Sequence, residues 1–292
     1  DSLADSLRVK RVRVAFQLLG IFLFIIILAR VDLSEVLHYF GHLDLTEGAI
    51  IICILVCFTF VKGLRWRTLV TKQGIEISRF RAFSIYSAGL YLGIVTPGRI
   101  GDFVKSLYLI NRGYPAGRSI FSSIIDRMLD LIFLVVIGYI SLLFFPGIFE
   151  NQYLLSTLIL ILTATIAILT FWHKDLFAKA VKKFTSMVLP SKIVEKTDRV
   201  ITDVFDEFEI LDRATVAEIL LLTGIGWVLH FLTFIFFARV ISIDVSIPLL
   251  IASVSAAIFT ALLPISLFGL GTRELVLIVI FGSIGLPQEA AV

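Results

Sequence analysis

Charged side chains at three places stand in stretches that are otherwise apolar. Arg99, Asp102 and Lys105 follow one another at i,i+3 spacing. Arg127 and Asp130 repeat that spacing inside the apolar run Ser119 to Phe145, with Asp126 beside them, and Arg273 and Glu274 are neighbours near the end of the chain. Residues at i and i+3 share a helix face. An Asp or Arg at the centre of a membrane-crossing helix costs roughly 2.5–3.5 kcal/mol, against a gain of about 0.3–0.6 for each Leu, Ile or Phe. Ionisable groups kept at that cost pair with one another and mark functional sites. The guanidinium groups of Arg99, Arg127 and Arg273 can each hold a phosphate through two parallel hydrogen bonds. Asp102, Asp130 and Glu274 would neutralise those cations, or take a proton or an amine. The spacing predicts a buried, protein-facing Arg127–Asp130 pair. The alternative sets the membrane boundary near Met128 and leaves Asp126, Arg127 and Asp130 at headgroup level.

Two of these groups follow interruptions in hydrophobic sequence. The first is Thr96-Pro97-Gly98-Arg99-Ile100-Gly101-Asp102, within a broken segment of about Ala82 to Asn111. The second runs from Pro264 through Gly269 and Gly271 to Glu274, within Ile247 to Phe281. Proline removes a backbone donor and bars the preceding residue from helix. Gly98 and Gly101 let backbones approach closely, and a helix restarting near Gly98 would aim free amides and its positive dipole end into the protein, which suits a phosphate. Interrupted helices in corresponding places of two halves point to a transporter-type binding site at mid-bilayer. The rival readings are a solvated cytoplasmic helix–turn–helix at the first break and a tight outer turn at the second.

The elements that must position these groups are membrane helices. Hydrophobic residues make up 58% of the chain, charged ones only 17%, and the mean hydropathy is +0.99, far from a soluble domain's balance of about 25% charged residues. Several apolar runs approach the roughly 20 residues that cross a bilayer, and the alternation of a membrane β-barrel is absent. The spans read as Val14 to Val31, about Ala49 to Leu64, Ser119 to Phe145, Tyr153 to Trp172 and Thr215 to Ile241. The first is retained rather than cleaved, for want of a small-residue cleavage site. Basic residues concentrate before the first span, in Lys62 to Arg81, at Arg112 and Arg118, and in residues 174–213, whereas residues 32–48, 146–152 and 242–246 carry none. The positive-inside rule then puts the N-terminus in the cytoplasm. Residues 174–213 become an amphipathic cytoplasmic segment at the membrane face, divided at Pro190. The two broken segments enter from opposite faces. The expected fold is all-α, a polytopic membrane protein with two re-entrant helical hairpins as inverted repeats, in one membrane domain over residues 1–292; two full crossings within residues 82–111 are the rival topology. A further helix is expected beyond Val292.

Other chemistries find little support. Cys53 and Cys57 are four apart on one helix face, which suits packing better than a bridge. His38 and His42 are i,i+4 but lack further ligands, and His173 and His230 are scattered, so no metal site is expected. Gly269-Leu-Gly271-Thr-Arg-Glu274 lacks the third glycine and the strand of a dinucleotide fingerprint. No catalytic residue and no cofactor is expected, and no nucleic-acid partner.

Taken in order, Gly93…Pro97-Gly-Arg99-Ile-Gly101-Asp102, Asp126-Arg127-Met-Leu-Asp130 and Pro264…Gly269-Leu-Gly271-Thr-Arg-Glu274 resemble the lysylphosphatidylglycerol synthase transmembrane-domain family, the flippase-like membrane half of the multiple peptide resistance factor. The resemblance covers about residues 10–290. Asp102 departs from it, since such proteins more often carry Glu there. What the resemblance implies is a lipid-translocating role in the cytoplasmic (inner) membrane of a prokaryote, with a membrane lipid as substrate. An aminoacylated or anionic phospholipid and a polyprenyl-phosphate-linked lipid are the candidates. Aminoacyl transfer is not implied, because that activity sits in a separate soluble domain. A lipid-linked glycosyl- or aminoacyl-transferase, or an accessory scaffold for a lipid-modifying enzyme, are the alternatives. A homo-oligomer or a lipid-modifying enzyme would be the protein partner.

Overall fold

The computed structural model describes residues 44–142, 206–261 and 269–286, together with 41, 179, 183, 200 and 202–204. The first span, the span at Tyr153 to Trp172, most of residues 174–213, His38, His42, His173 and Pro264 lie outside the described residues. Those described are all helical, with no strand among them. In chain order they form α1 (Leu45–Lys72), α2 (Arg79–Val95), a 3-10 turn (Pro97–Phe103), α3 (Val104–Asn111), α4 (Ala116–Leu142), a 3-10 turn (Glu207–Ile210), α5 (Arg213–Val240), α6 (Ile247–Ala261) and α7 (Thr272–Ser283).

Local chemistry fixes the boundaries. Asp44 and Glu47 form a reciprocal capping box at the start of α1, satisfying amides that the first turn leaves without partners. Ser78 caps α2 by accepting from Arg81 N, and Asp212 caps α5 by accepting from Thr215 N at 2.7 Å. α1 continues past the expected span end at Leu64 to Lys72, so the basic loop expected at Lys62 to Arg81 is helix for most of its length. Helical propensity and a buried stripe of Lys62, Arg65, Trp66, Leu69 and Val70 carry the helix through the charges. The opposite face exposes Ile52, Val56 and Phe60, and with them Cys53 and Cys57, which face outward rather than into packing. Among the described residues, α1 and α5 are long and apolar enough to cross a membrane.

These two helices run antiparallel. Lys72 pairs with Asp212, Thr68 donates to Glu218, Arg65 donates to Thr223, and Phe58 stacks near His230. α4 is antiparallel to α1, with Gln73 beside Arg118, Trp66 beside Ser122 and Lys62 beside Asp130. The path from Gln73 through α2, the 3-10 turn and α3 to Arg118 therefore leaves one end of the bundle and returns to it. At the other end α6 follows α5. Val245 before α6 and Leu286 after α7 pack on the same core cluster as Leu249 and Phe281.

The first path doubles back at Thr96, which is extended (φ −106°, ψ 140°) as a residue before proline must be. Its hydroxyl donates to Leu92 O and accepts from Gly101 N, both at 2.7 Å. Gly101 lies against the backbone of Leu92 so closely that a Cβ there would sit 2.2 Å from the Leu92 carbonyl. A side chain cannot enter that space without opening the turn. Gly101→Ala is expected to destabilise the protein by about 3 kcal/mol, the upper range for overpacking. Gly224→Ala in α5, with no atom within 4 Å of the added Cβ, should instead gain about 0.5–1 kcal/mol of helix stability. Thermal unfolding in detergent distinguishes the two, and equal midpoints would contradict the tight turn.

Candidate functional site

Arg65 is fully buried on α1, and every one of its five N–H donors is bonded. Nε and Nη2 donate to Asp126 Oδ1 at 2.8 and 2.5 Å, Nη2 also to Asp126 O at 3.0 Å, and Nη1 to Asp130 Oδ1 at 2.8 Å and Thr223 Oγ1 at 3.1 Å. Guanidinium geometry permits no more than five donors. Asp126 turns its other oxygen to Lys105 Nζ at 2.5 Å, and Lys62 pairs with Asp130 Oδ1. Both lysines are buried. Aromatic faces lie beside their ammonium groups, Trp227 at 4.9 Å from Lys62 and Tyr86 at 4.3 Å from Lys105. Cation–π attraction is strongest in such desolvated settings. The network ties α1, α3, α4 and α5 together, seven residues or about 10 Å along α1 from its charged end at Lys72.

A cavity of about 660 Å³ opens beside this network, within the range of ligand sites. Arg99, Asp102, Lys105, Arg127, Asp130, Arg273 and Glu274, the seven residues singled out by sequence, all line it, as do Lys62 and Asp126. Phe58, Leu131, Leu134, Phe234 and Phe281 supply an apolar wall. The first break thus meets the second at one space.

The pairing differs from the expected one. Arg127 does not pair with Asp130. Its Nη2 lies 2.9 Å from Asp102 Oδ2, off the N–H direction, so the contact is an ion pair without a hydrogen bond. Arg65 and Lys62 share Asp130 Oδ1, and Arg127 lies instead against the carboxylate on the returning turn. Arg273 donates to Glu274 Oε1 at 2.8 Å, while Glu274 Oε2 accepts Gly271 N at 2.8 Å. Gly269 and Gly271 take positive φ of 73° and 80° at this turn.

Arg99 stands apart. Its φ of 54° is left-handed, a region that non-glycine residues seldom adopt. Its side chain has no hydrogen bond or ion pair among the described residues. The expectation of free helix amides near Gly98 is corrected here. The segment restarts as a 3-10 turn beginning at Pro97, and Thr96 accepts from both Arg99 N and Gly101 N.

Lys62, Arg65 and Thr223 belong to the site but were not signalled by the breaks. Lys62 and Arg65 fell outside because the basic stretch Lys62 to Arg81 reads as a loop beyond a span ending near Leu64. Their i,i+3 spacing, set against Asp126 and Asp130 at i,i+4, is the complementary pattern that could have found them. Counting the cavity wall and the layer behind it, the cations are Lys62, Arg65, Arg99, Lys105, Arg127 and Arg273. Facing them are the carboxylates Asp102, Asp126, Asp130 and Glu274, an excess of two positive charges among the described residues.

Removing one partner of a buried ion network strands the others and costs about 3–5 kcal/mol, whereas exposed pairs contribute about 0–1 kcal/mol. Arg65→Ala should therefore lower the unfolding midpoint severely or reduce the fraction extracted as monodisperse protein. Lys72→Ala, at the exposed pair with Asp212, should leave both nearly unchanged. Comparable losses in the two variants would contradict the assignment of Arg65 as the hub.

No curated protein and no solved structure matches this chain. The sequence profile of one family does, the one described as the lysylphosphatidylglycerol synthase TM region, and it matches residues 12–292. With nearly the whole chain matched, its apolar helices and charged cavity are those of a member of the lysylphosphatidylglycerol synthase transmembrane-region family, a membrane domain of lipid-related function.

Proposed function

We propose that this chain is a lipid translocase that carries a phosphate-bearing headgroup across the cytoplasmic membrane. One observation carries the reading: a single cavity joins an arginine-rich charged floor to an apolar wall. A lipid has that same division. Its headgroup would meet Arg99, Arg127 and Arg273, and its acyl chains would lie along Phe58, Leu134 and Phe281. The ion pairs Arg127–Asp102 and Arg273–Glu274 would hold the cations while no headgroup is present.

The chain path supports two re-entrant hairpins as inverted repeats. α2 and α7 have 17 and 12 residues, or about 25 and 18 Å, short of the roughly 30 Å hydrocarbon core. Each hairpin follows one of two antiparallel helices, the first after α1 and the second after α5, so the two enter from opposite ends. With the basic residues inside, the first hairpin opens to the cytoplasm and the second to the outer face. On this reading residues 1–292 form one membrane unit with a cytoplasmic N-terminus, and residues 174–213 lie along its cytoplasmic face.

The test is lipid flipping in proteoliposomes, using fluorescently labelled anionic phospholipid and a membrane-impermeant quencher. Arg127→Ala and Glu274→Gln should each reduce the protein-dependent rate at least about tenfold while eluting as folded protein. Rates equal to the unsubstituted chain in both variants would overturn the site assignment.

A further inference from the structure

We propose that the headgroup is a terminal phosphate, a phosphomonoester carrying two negative charges, and that Arg99 is the residue that selects it. The proposal deepens the lipid-translocase reading and rests on it. Three observations carry it.

The first is charge. Burying an uncompensated charge is expensive, and the excess around the cavity is two positive charges among the described residues. A phosphodiester headgroup supplies one negative charge, and an aminoacylated headgroup adds positive charge. A phosphomonoester, with its second pKa near 6, supplies about 1.5–2 at neutral pH.

The second is the state of the carboxylates. Asp126 serves Arg65 and Lys105, Asp130 serves Arg65 and Lys62, Asp102 faces Arg127, and Glu274 faces Arg273. Each already faces a cation, so an ammonium headgroup would meet no uncompensated negative charge. Three cations share two carboxylates in the Arg65 layer, and one unit of the excess sits there, on Lys62 and Lys105 at the cavity wall.

The third is Arg99, which accounts for the other unit. It lines the cavity, its side chain makes no hydrogen bond or close ion pair among the described residues, and it is held at φ 54° by a turn that Thr96 pins through three hydrogen bonds. Left-handed backbone at a non-glycine residue persists where the surroundings over-determine it, commonly at ligand clamps. Glycine would relieve that strain, so the arginine side chain is what the position retains. A fork of donors and two ammonium groups lining one cavity match the three terminal oxygens of a phosphomonoester, where a phosphodiester offers two.

The experiment measures lipid binding to purified protein in nanodiscs at pH 7.5, comparing phosphatidic acid with phosphatidylglycerol and lysyl-phosphatidylglycerol of the same acyl chains. Phosphatidic acid should bind at least about tenfold more tightly than either. The ratio to phosphatidylglycerol should fall towards one at pH 5, where the monoester carries a single charge. Arg99→Gly keeps the turn and should abolish the ratio without lowering the unfolding midpoint, and Arg99→Lys should retain part of it. Equal or tighter binding of phosphatidylglycerol would overturn the monoester assignment while leaving the anionic-lipid reading standing. Indifference to all three headgroups would overturn both. Inorganic phosphate competing as well as phosphatidic acid would keep the dianion site and overturn its lipid source.

Discussion

The fold turns on one buried guanidinium. Arg65 has no water to bond, so each of its five donors must find an acceptor within the protein, and the acceptors come from α4 and α5. Two carboxylates drawn to it then draw Lys62 and Lys105 in turn. A helix from the returning hairpin is thereby fixed to the same layer as the long helices. Hydrophobic burial alone would hold these helices together in many registers, since apolar faces slide past one another in lipid. Ionic geometry selects one register, because displacement by a turn would strand a charge.

That constraint also shapes the cavity. With Asp126 and Asp130 committed to Arg65, Arg127 reaches instead to Asp102, which sits on the turn that Thr96 and Gly101 close. The break at Pro97 is thus coupled to α4 through an ion pair, and the second break approaches the same space through Arg273 and Glu274. The two interruptions in the chain serve to bring charged turns into the interior of an otherwise apolar bundle. Continuous helices would carry those residues past the middle on their own faces and leave no enclosed space.

Much of this was legible in the sequence. Proline and glycine fixed the position of the first break within a residue or two, because the residue before proline cannot stay helical. The insertion cost of Arg127 and Asp130 marked them as groups with partners inside the protein. The partners themselves were harder to read. Spacing along one helix predicted Arg127 with Asp130, but pairing across helices depends on which side chain reaches furthest. Arg65 claimed both aspartates. Reading Lys62 to Arg81 as a loop hid Lys62 and Arg65, since a charged residue on a buried stripe looks the same in sequence as one at a membrane boundary. Two of the amides expected to be free after Pro97, those of Arg99 and Gly101, are likewise taken by Thr96, through a carbonyl and a hydroxyl whose conformation the sequence does not specify.

The central claim is that the cavity holds a phosphate-bearing lipid. Mass spectrometry of the lipid retained by gently purified protein tests it most directly, comparing the unsubstituted chain with a variant in which Arg99 and Arg127 are both glutamine. A phosphate-binding cavity requires one class of phosphate-bearing lipid, enriched over the bulk membrane at near-equimolar amounts in the unsubstituted chain and lost from the variant. The same lipid profile as the bulk membrane in both proteins would contradict it.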